Sequence, residues 1–247
     1  MQPELEFAIS LAHAAGEIMK SHIKIGMKWE MKDDNSPVTE ADKLINSIVI
    51  ERVKENYPSY SIVGEENSFY VDGSEFSWVC DPIDGTIPFS HGIPISMFSL
   101  ALTQNGVPIV AVLYDPFSDR LFQSTTGNGS FLNGTQIHVS SQSQLKGATL
   151  EVCGSSQMPL VAGTGCRVTK MYCGTCPSSL LACGQYDGVL YPGKSCWDIA
   201  AIKLIVEEAG GKVTDLNGNE QRYDQPINGA VVSNGVLHDI LVALTKR

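Results

Sequence analysis

The segment that most restricts this chain runs from Phe76 to Thr86. Phe76-Ser77-Trp78-Val79-Cys80 is a short, largely apolar run, too brief for a helix and suited to a pleated surface, so it reads as a strand. It leads directly into Asp81-Pro82-Ile83-Asp84-Gly85-Thr86. Proline fixes the turn between the two aspartates, so both carboxylates converge on one point at the strand's mouth rather than splay. Gly85 admits close backbone approach, and the N–H groups of Gly85 and Thr86, where they open a short helix, form an anion site. The fold must therefore supply a sheet with this strand in it.

Elsewhere the pattern alternates. Glu4 to His22 places Phe7, Ala8, Leu11, Ala15, Ile18 and Met19 at helical spacing. Asp33 to Pro37 is a turn cluster. A second helix is predicted from Thr39, with Leu44, Ile45, Ile48, Val49 and Val53 buried, ending before Pro58. Tyr60 to Val63 reads as a strand halted by Gly64. Met97 to Leu102 and Val107 to Tyr114 form a hairpin about Asn105-Gly106, continued by Arg120 to Gln123. Phe131 to Gly134 and Ile137 to Val139 extend the meander. The C-terminal part predicts strands at Thr149 to Cys153, Gly188 to Tyr191, Lys212 to Thr214 and Gly229 to Ser233. Helices are predicted at Ser178 to Gly184, at Trp197 to Ala209 before Gly210-Gly211, and from Leu237. Helices alternating with hairpin-rich sheet imply a layered α/β or α+β sandwich. The Ser/Gln-rich stretch Ser140 to Gln144 divides it into lobes 1–142 and 143–247.

The formal charge of −10 disfavours a nucleic-acid partner, because an acidic surface repels phosphate backbones. It does not exclude an anionic small substrate, since bound divalent cations reverse a local field. Core-forming residues at 43% and charged residues at 18% exclude a disordered tail. No signal-peptide pattern opens the chain and no apolar run is long enough for a membrane span, so a soluble, cytoplasmic protein is expected. Seven cysteines, an odd number, argue against a disulfide framework. Cys173-Gly174-Thr175-Cys176 has redox or zinc spacing, but no second ligand pair follows it. Gly174 and Pro177 also make a poor helix start, so the pair reads as reduced thiols packed near a loop.

Four acidic clusters carry the chemistry: Asp42, Glu65-Glu66, Asp81 with Asp84, and Asp198. Each has an ordinary reading. Asp-Pro and Asp-Gly are common turn dipeptides, and Thr39 to Asp42 and Ser195 to Asp198 both fit a capping box. Glu65 leaves the end of a second strand, and carboxylates from two strand ends are hard oxygen ligands that suit Mg²⁺ better than zinc.

Their order and context resemble the inositol monophosphatase family of lithium-sensitive, magnesium-dependent phosphatases. The likeness is carried by Ser36-Pro37-Val38-Thr39-Glu40-Ala41-Asp42, Gly64-Glu65-Glu66, Trp78 to Thr86, Cys196-Trp197-Asp198-Ile199-Ala200-Ala201 and Glu208-Ala209-Gly210-Gly211. It implies an αβαβα sandwich, a homodimer, and two or three Mg²⁺ ions on Glu65, Asp81, the Ile83 carbonyl, Asp84 and Asp198. It also implies that Thr86, hydrogen-bonded to Asp42, orients and deprotonates the attacking water. The substrate phosphate would sit on Gly85, Thr86 and Asp198.

Departures bear on the substrate. Ile87-Pro88-Phe89 replaces the family's Thr-Asn-Phe. Tyr191 stands where the animal enzymes place a glutamate on the inositol hydroxyls, so we expect an aromatic substrate wall there. Leu190-Tyr191-Pro192 resembles the adenosine 3′,5′-bisphosphate branch, and His91-Gly92-Ile93-Pro94 the inositol- and histidinol-phosphate branches. The expected activity is hydrolysis of a small phosphate monoester, inositol monophosphate first. Adenosine 3′,5′-bisphosphate, histidinol phosphate and fructose 1,6-bisphosphate are rivals within the enzyme class. A non-catalytic regulator binding a phosphorylated metabolite is the rival outside it.

Overall fold

The computed structural model describes residues 2–32 and 37–246, so most of the expected Asp33 to Pro37 turn lies outside the described residues. Chain order begins with helix α1 (Pro3–His22), strands β1 (Glu30–Met31) and β2 (Pro37–Val38), and helix α2 (Glu40–Asn56). Strands β3 (Ser61–Gly64) and β4 (Phe76–Asp84) follow, then a short helix α3 (Thr86–Ser90). Next come β5 (Met97–Gln104), β6 (Val107–Asp115), β7 (Arg120–Thr125), β8 (Ser130–Leu132) and β9 (Thr135–Ile137). The C-terminal part holds β10 (Thr149–Val152), α4 (Met158–Val161), β11 (Arg167–Thr169), α5 (Thr175–Ala182) and β12 (Gly188–Tyr191). It closes with α6 (Ala200–Glu208), β13 (Lys212–Thr214), β14 (Ala230–Ser233) and α7 (His238–Thr245).

Strands β3 to β9 form one seven-stranded sheet in sequence order, antiparallel except for the parallel β3–β4 pair. The second sheet has five strands in the order β11-β10-β12-β14-β13, its first three parallel.

Side-chain alternation along the strands builds the layers. Trp78 and Cys80 on β4, with Phe98, Leu100 and Val112, face Leu11, Met19, Ile45 and Val49 of α1 and α2. The intervening Val79, with Ala101, Ala111 and Leu113, faces the other way, onto Leu181 of α5 and Ile202 and Ile205 of α6. Those helices also cover Val189, Val213 and Val232 of the five-stranded sheet. Leu150, Leu190 and Val231 on that sheet's far face meet Val161, Leu241 and Val242 of α4 and α7. Five layers result, helix–sheet–helix–sheet–helix, which is the αβαβα sandwich.

Three expectations need correction. Leu44 is exposed, because the buried stripe of α2 is phased through Ala41, Asp42, Ile45 and Asn46, which turns two polar side chains inward toward the strand ends. Helix α5 begins at Thr175, directly after Cys173-Gly174. Pro177 lies in its first turn, where no intrahelical N–H bond is required. Helix α6 starts only at Ala200, which leaves Asp198 in the preceding loop rather than inside a capping box.

Candidate active site

Three aspartates from two distant stretches of chain meet at the end of β4. Residues three apart on a regular strand face opposite sides of a sheet. Here the register against β5 steps from Asp81–Ser99 to Asp84–Met97, so β4 spends one residue more than its partner. That bulge, at a proline with no N–H to give the ladder, turns Asp84 back to the side of Asp81. Asp198 arrives from the loop before α6, whose Trp197 carbonyl accepts from Ser99 Oγ at 3.4 Å. One carboxylate oxygen from each of Asp81, Asp84 and Asp198 lies within 4.8 Å of the other two.

The surroundings hold this trio rigidly. The Ile83 N–H donates to Asp81 Oδ1 at 3.0 Å, and the Ile83 carbonyl accepts from Thr86 Oγ1 at 3.1 Å. Gly85 has φ 87°, and a Cβ there would lie 2.9 Å from Cys173 Cβ, so the close approach of the 173–175 segment requires glycine. Three donors from that segment converge on Asp84 Oδ2: Thr175 N–H at 2.6 Å, Thr175 Oγ1 at 2.5 Å and Cys173 Sγ at 3.2 Å. The Tyr191 hydroxyl donates to Asp198 Oδ2 in a short hydrogen bond.

Electrostatically the site is a buried excess of negative charge. Burial pushes the Asp81 carboxyl well above its usual range, with Glu65, Asp84 and Asp198 adding repulsion. Burial also raises Asp84, partly offset by the donors from Thr175 and Cys173. Asp198 is pushed up to about 8 by burial and then by Asp84. Such a cluster keeps its charge only beside a cation. All its donors are oxygens, with Asp81 buried and Asp84 and Asp198 half-buried, so the residues present fit a hard divalent ion such as Mg²⁺.

Asp42 lies buried at the start of α2. Its Oδ2 accepts from Thr39 N–H at 2.8 Å and from Thr39 Oγ1 at 2.5 Å, so the helix-capping role is real. Its Oδ1 is buried without a partner. Burial pushes this carboxyl up to about 7, against the pull of the Thr39 bonds.

The other expected residues fall out unevenly. Glu65 is not one of the converging trio, because its carboxylate is engaged by Lys32 Nζ at 2.8 Å, with Glu66 on the same ammonium at 2.6 Å. Thr86 Oγ1 reaches the Ile83 carbonyl, not Asp42 as expected, because Asp42 is drawn to the α2 cap. Tyr191 is half-buried with its hydroxyl committed to Asp198, so it is less an open wall than a brace. His91 caps α3 through Nδ1 and the Ile87 carbonyl at 2.8 Å. That Thr175 and Cys173 reach Asp84 escaped sequence reasoning. Only the C-x-x-C spacing drew attention to that segment, and it pointed to other chemistry.

The sequence model of the Inositol monophosphatase family matches residues 1–247. The chain belongs to that family. Inositol monophosphatase 2 of Solanum lycopersicum is 34% identical to it, over 98% of this chain and 97% of the relative. A Thermotoga maritima protein named fructose-1,6-bisphosphatase/inositol-1-monophosphatase is 31% identical, over 98% and 96%. The solved Thermotoga maritima IMPase superposes with a TM-score of 0.90 at 28% identity, covering 99% of this chain and 97% of that one. As an inositol monophosphatase family member the chain is a phosphoric monoester hydrolase, which sets aside the regulator reading. No helix among its described residues is long and apolar enough to cross a membrane.

Proposed function

We propose that this phosphatase hydrolyses inositol monophosphate, using two or three Mg²⁺ ions held by Glu65, Asp81, the Ile83 carbonyl, Asp84 and Asp198. The observation that carries this reading is the convergence of Asp81, Asp84 and Asp198 within 4.8 Å in a chain that belongs to the inositol monophosphatase family. Mg²⁺, when bound, supplies positive charge opposite the phosphate dianion and acidifies the attacking water. The chain's own groups do the rest. The N–H groups of Gly85 and Thr86, at the turn into α3, receive phosphoryl oxygens where charge accumulates. Thr86 Oγ1 would orient and deprotonate the water once its hydroxyl turns from the Ile83 carbonyl to Asp42 Oδ1, which is buried and unpartnered and would take the threonine proton. A carboxyl held up to about 7 is matched to that exchange near neutral pH. The Tyr191 hydroxyl keeps Asp198 turned to the phosphate.

Tyr191 in place of a glutamate removes a strong acceptor for vicinal hydroxyls, and such acceptors discriminate more sharply than apolar contact. We therefore expect a broad enzyme, active as a cytoplasmic homodimer and inhibited by lithium. The name of the Thermotoga relative favours one second substrate in particular, fructose 1,6-bisphosphate. A kcat/KM panel with Mg²⁺ or a chelator tests this, using inositol monophosphate, fructose 1,6-bisphosphate, histidinol phosphate and adenosine 3′,5′-bisphosphate. Inositol monophosphate should fall within about tenfold of the best substrate, ~1.4 kcal/mol in transition-state binding. A preference of roughly a thousandfold for another compound would replace the substrate assignment, and full activity in chelator would remove the metal.

A further inference from the structure

The C-x-x-C segment has no part in the mechanism so far, yet it touches the site directly. We infer that Thr175, assisted by Cys173, is a positioning residue for Asp84, locking its carboxylate from across the molecule. The inference rests on the proposed role of Asp84 as a metal ligand.

Asp84 belongs to β4 of the seven-stranded sheet, whereas Cys173 and Thr175 lead into α5, the helix that lies between the two sheets. Thr175 contributes two of the three donors on Asp84 Oδ2, one from the backbone and one from the hydroxyl. A carboxylate whose one oxygen accepts three hydrogen bonds has a single rotamer left to it, and its other oxygen is then aimed by the same bonds. Pairing of Asp84 with Met97 on β5 fixes its backbone but not the direction of its carboxylate, which the donors from across the molecule set. Thr175 is fully buried and begins α5, so its own position is set by the helix. Packing of α5 on the sheet is therefore translated into the direction of one ligand. Donors that orient metal ligands in this way govern affinity for the ion as well as turnover.

The test compares Thr175→Val and Thr175→Ala, which remove the hydroxyl, with Thr175→Ser, which keeps it. Ser178→Ala is the packing control. Its hydroxyl ties the same first turn to the Gly174 carbonyl at 2.7 Å without touching Asp84. Mg²⁺ affinity of the full chain, read by thermal-shift titration without substrate, should weaken by roughly tenfold or more in the Val and Ala variants. Thr175→Ser should stay within about threefold of wild type and Ser178→Ala within about twofold, with kcat falling more than KM changes in the Val variant. Wild-type affinity in both Thr175→Val and Thr175→Ala, or an equal loss in Ser178→Ala, would overturn the positioning role while leaving the metal reading intact. Absence of any Mg²⁺ response in the wild type would instead overturn the metal reading and this inference with it.

Discussion

At the scale of single residues, Asp84 shows how a catalytic centre and a stable fold ask for different things. In the metal-free protein its carboxylate is repelled by Asp81 and Asp198 and raised by burial. Asp84→Asn relieves that repulsion, and the amide oxygen can still accept from Thr175. The variant should therefore melt at or above the wild-type temperature without metal. A neutral amide is a poorer ligand for a hard cation, so kcat/KM should fall at least a hundredfold, about 2.7 kcal/mol. Thermal melts beside kinetics would decide this. Retention of a tenth or more of wild-type turnover, a deficit of ~1.4 kcal/mol or less, would remove Asp84 from the ligand set. Asp42 differs atom by atom, with Oδ2 closing the helix cap and Oδ1 buried without a partner.

At the scale of elements, polar side chains fasten the layers to one another. Glu208, at the end of α6, accepts from the Gly127 and Gly129 N–H groups at 2.7 Å each and so pins the β7–β8 turn. Its place in the family motif thus has a structural cause. His238 opens α7 and reaches both β13 and β14, with Nε2 on Thr214 Oγ1 at 2.9 Å and Nδ1 on Ser233 Oγ at 2.8 Å. Burial, then Lys212, lowers its pKa to about 4. Between about pH 6.5 and 4 the unfolded chain binds a proton there that the folded chain refuses, so the stability contributed by His238 falls as pH falls through that window. The loss should approach ~1.4 kcal/mol per pH unit, on the order of 3 kcal/mol in all. His238→Gln lacks the titrating group and should remove that contribution from the slope, measured by urea unfolding at about pH 6.5 and about 4.5. An unchanged slope in the variant would place the acid sensitivity elsewhere.

For the whole molecule, the buried carboxylates link folding to metal. Asp198 and Asp42, held up to about 8 and about 7, retain protons in the folded protein that the unfolded chain has already released. Metal-free stability should therefore decline as pH rises from about 4 to about 8, opposing the His238 effect below about 6.5 and standing alone between about 6.5 and about 8. Mg²⁺ binds only the folded, deprotonated site, so its stabilisation should grow over the same range and offset the decline. Melts at the last two pH values, with and without Mg²⁺, measure both effects. A metal-free melting temperature that rises between them would refute the charge-crowded site.

Much of this was open to inspection in the sequence, because it depends on local chemistry. Periodicity located α1, α2 and the β4 to β7 strands, since apolar spacing reports which face is buried whatever lies against it. The acidic motifs marked Asp42, Asp81, Asp84 and Asp198, since carboxylates at helix starts, strand ends and loop turns are legible as residue types. What only the tertiary structure decided is whose atoms meet. Short elements such as β1, β2 and β11 are too brief to carry a period and exist through their partners. The phase of α2 shifted because Asp42 turns back to cap the helix at Thr39 and Asn46 turns inward to the Asn67 carbonyl. Asp84 is braced by Thr175, 91 positions along the chain, and no pattern of neighbours in sequence encodes a contact made across two layers. Chain composition sets what each segment can bury; packing of one layer on the next sets which hydrogen bonds form there.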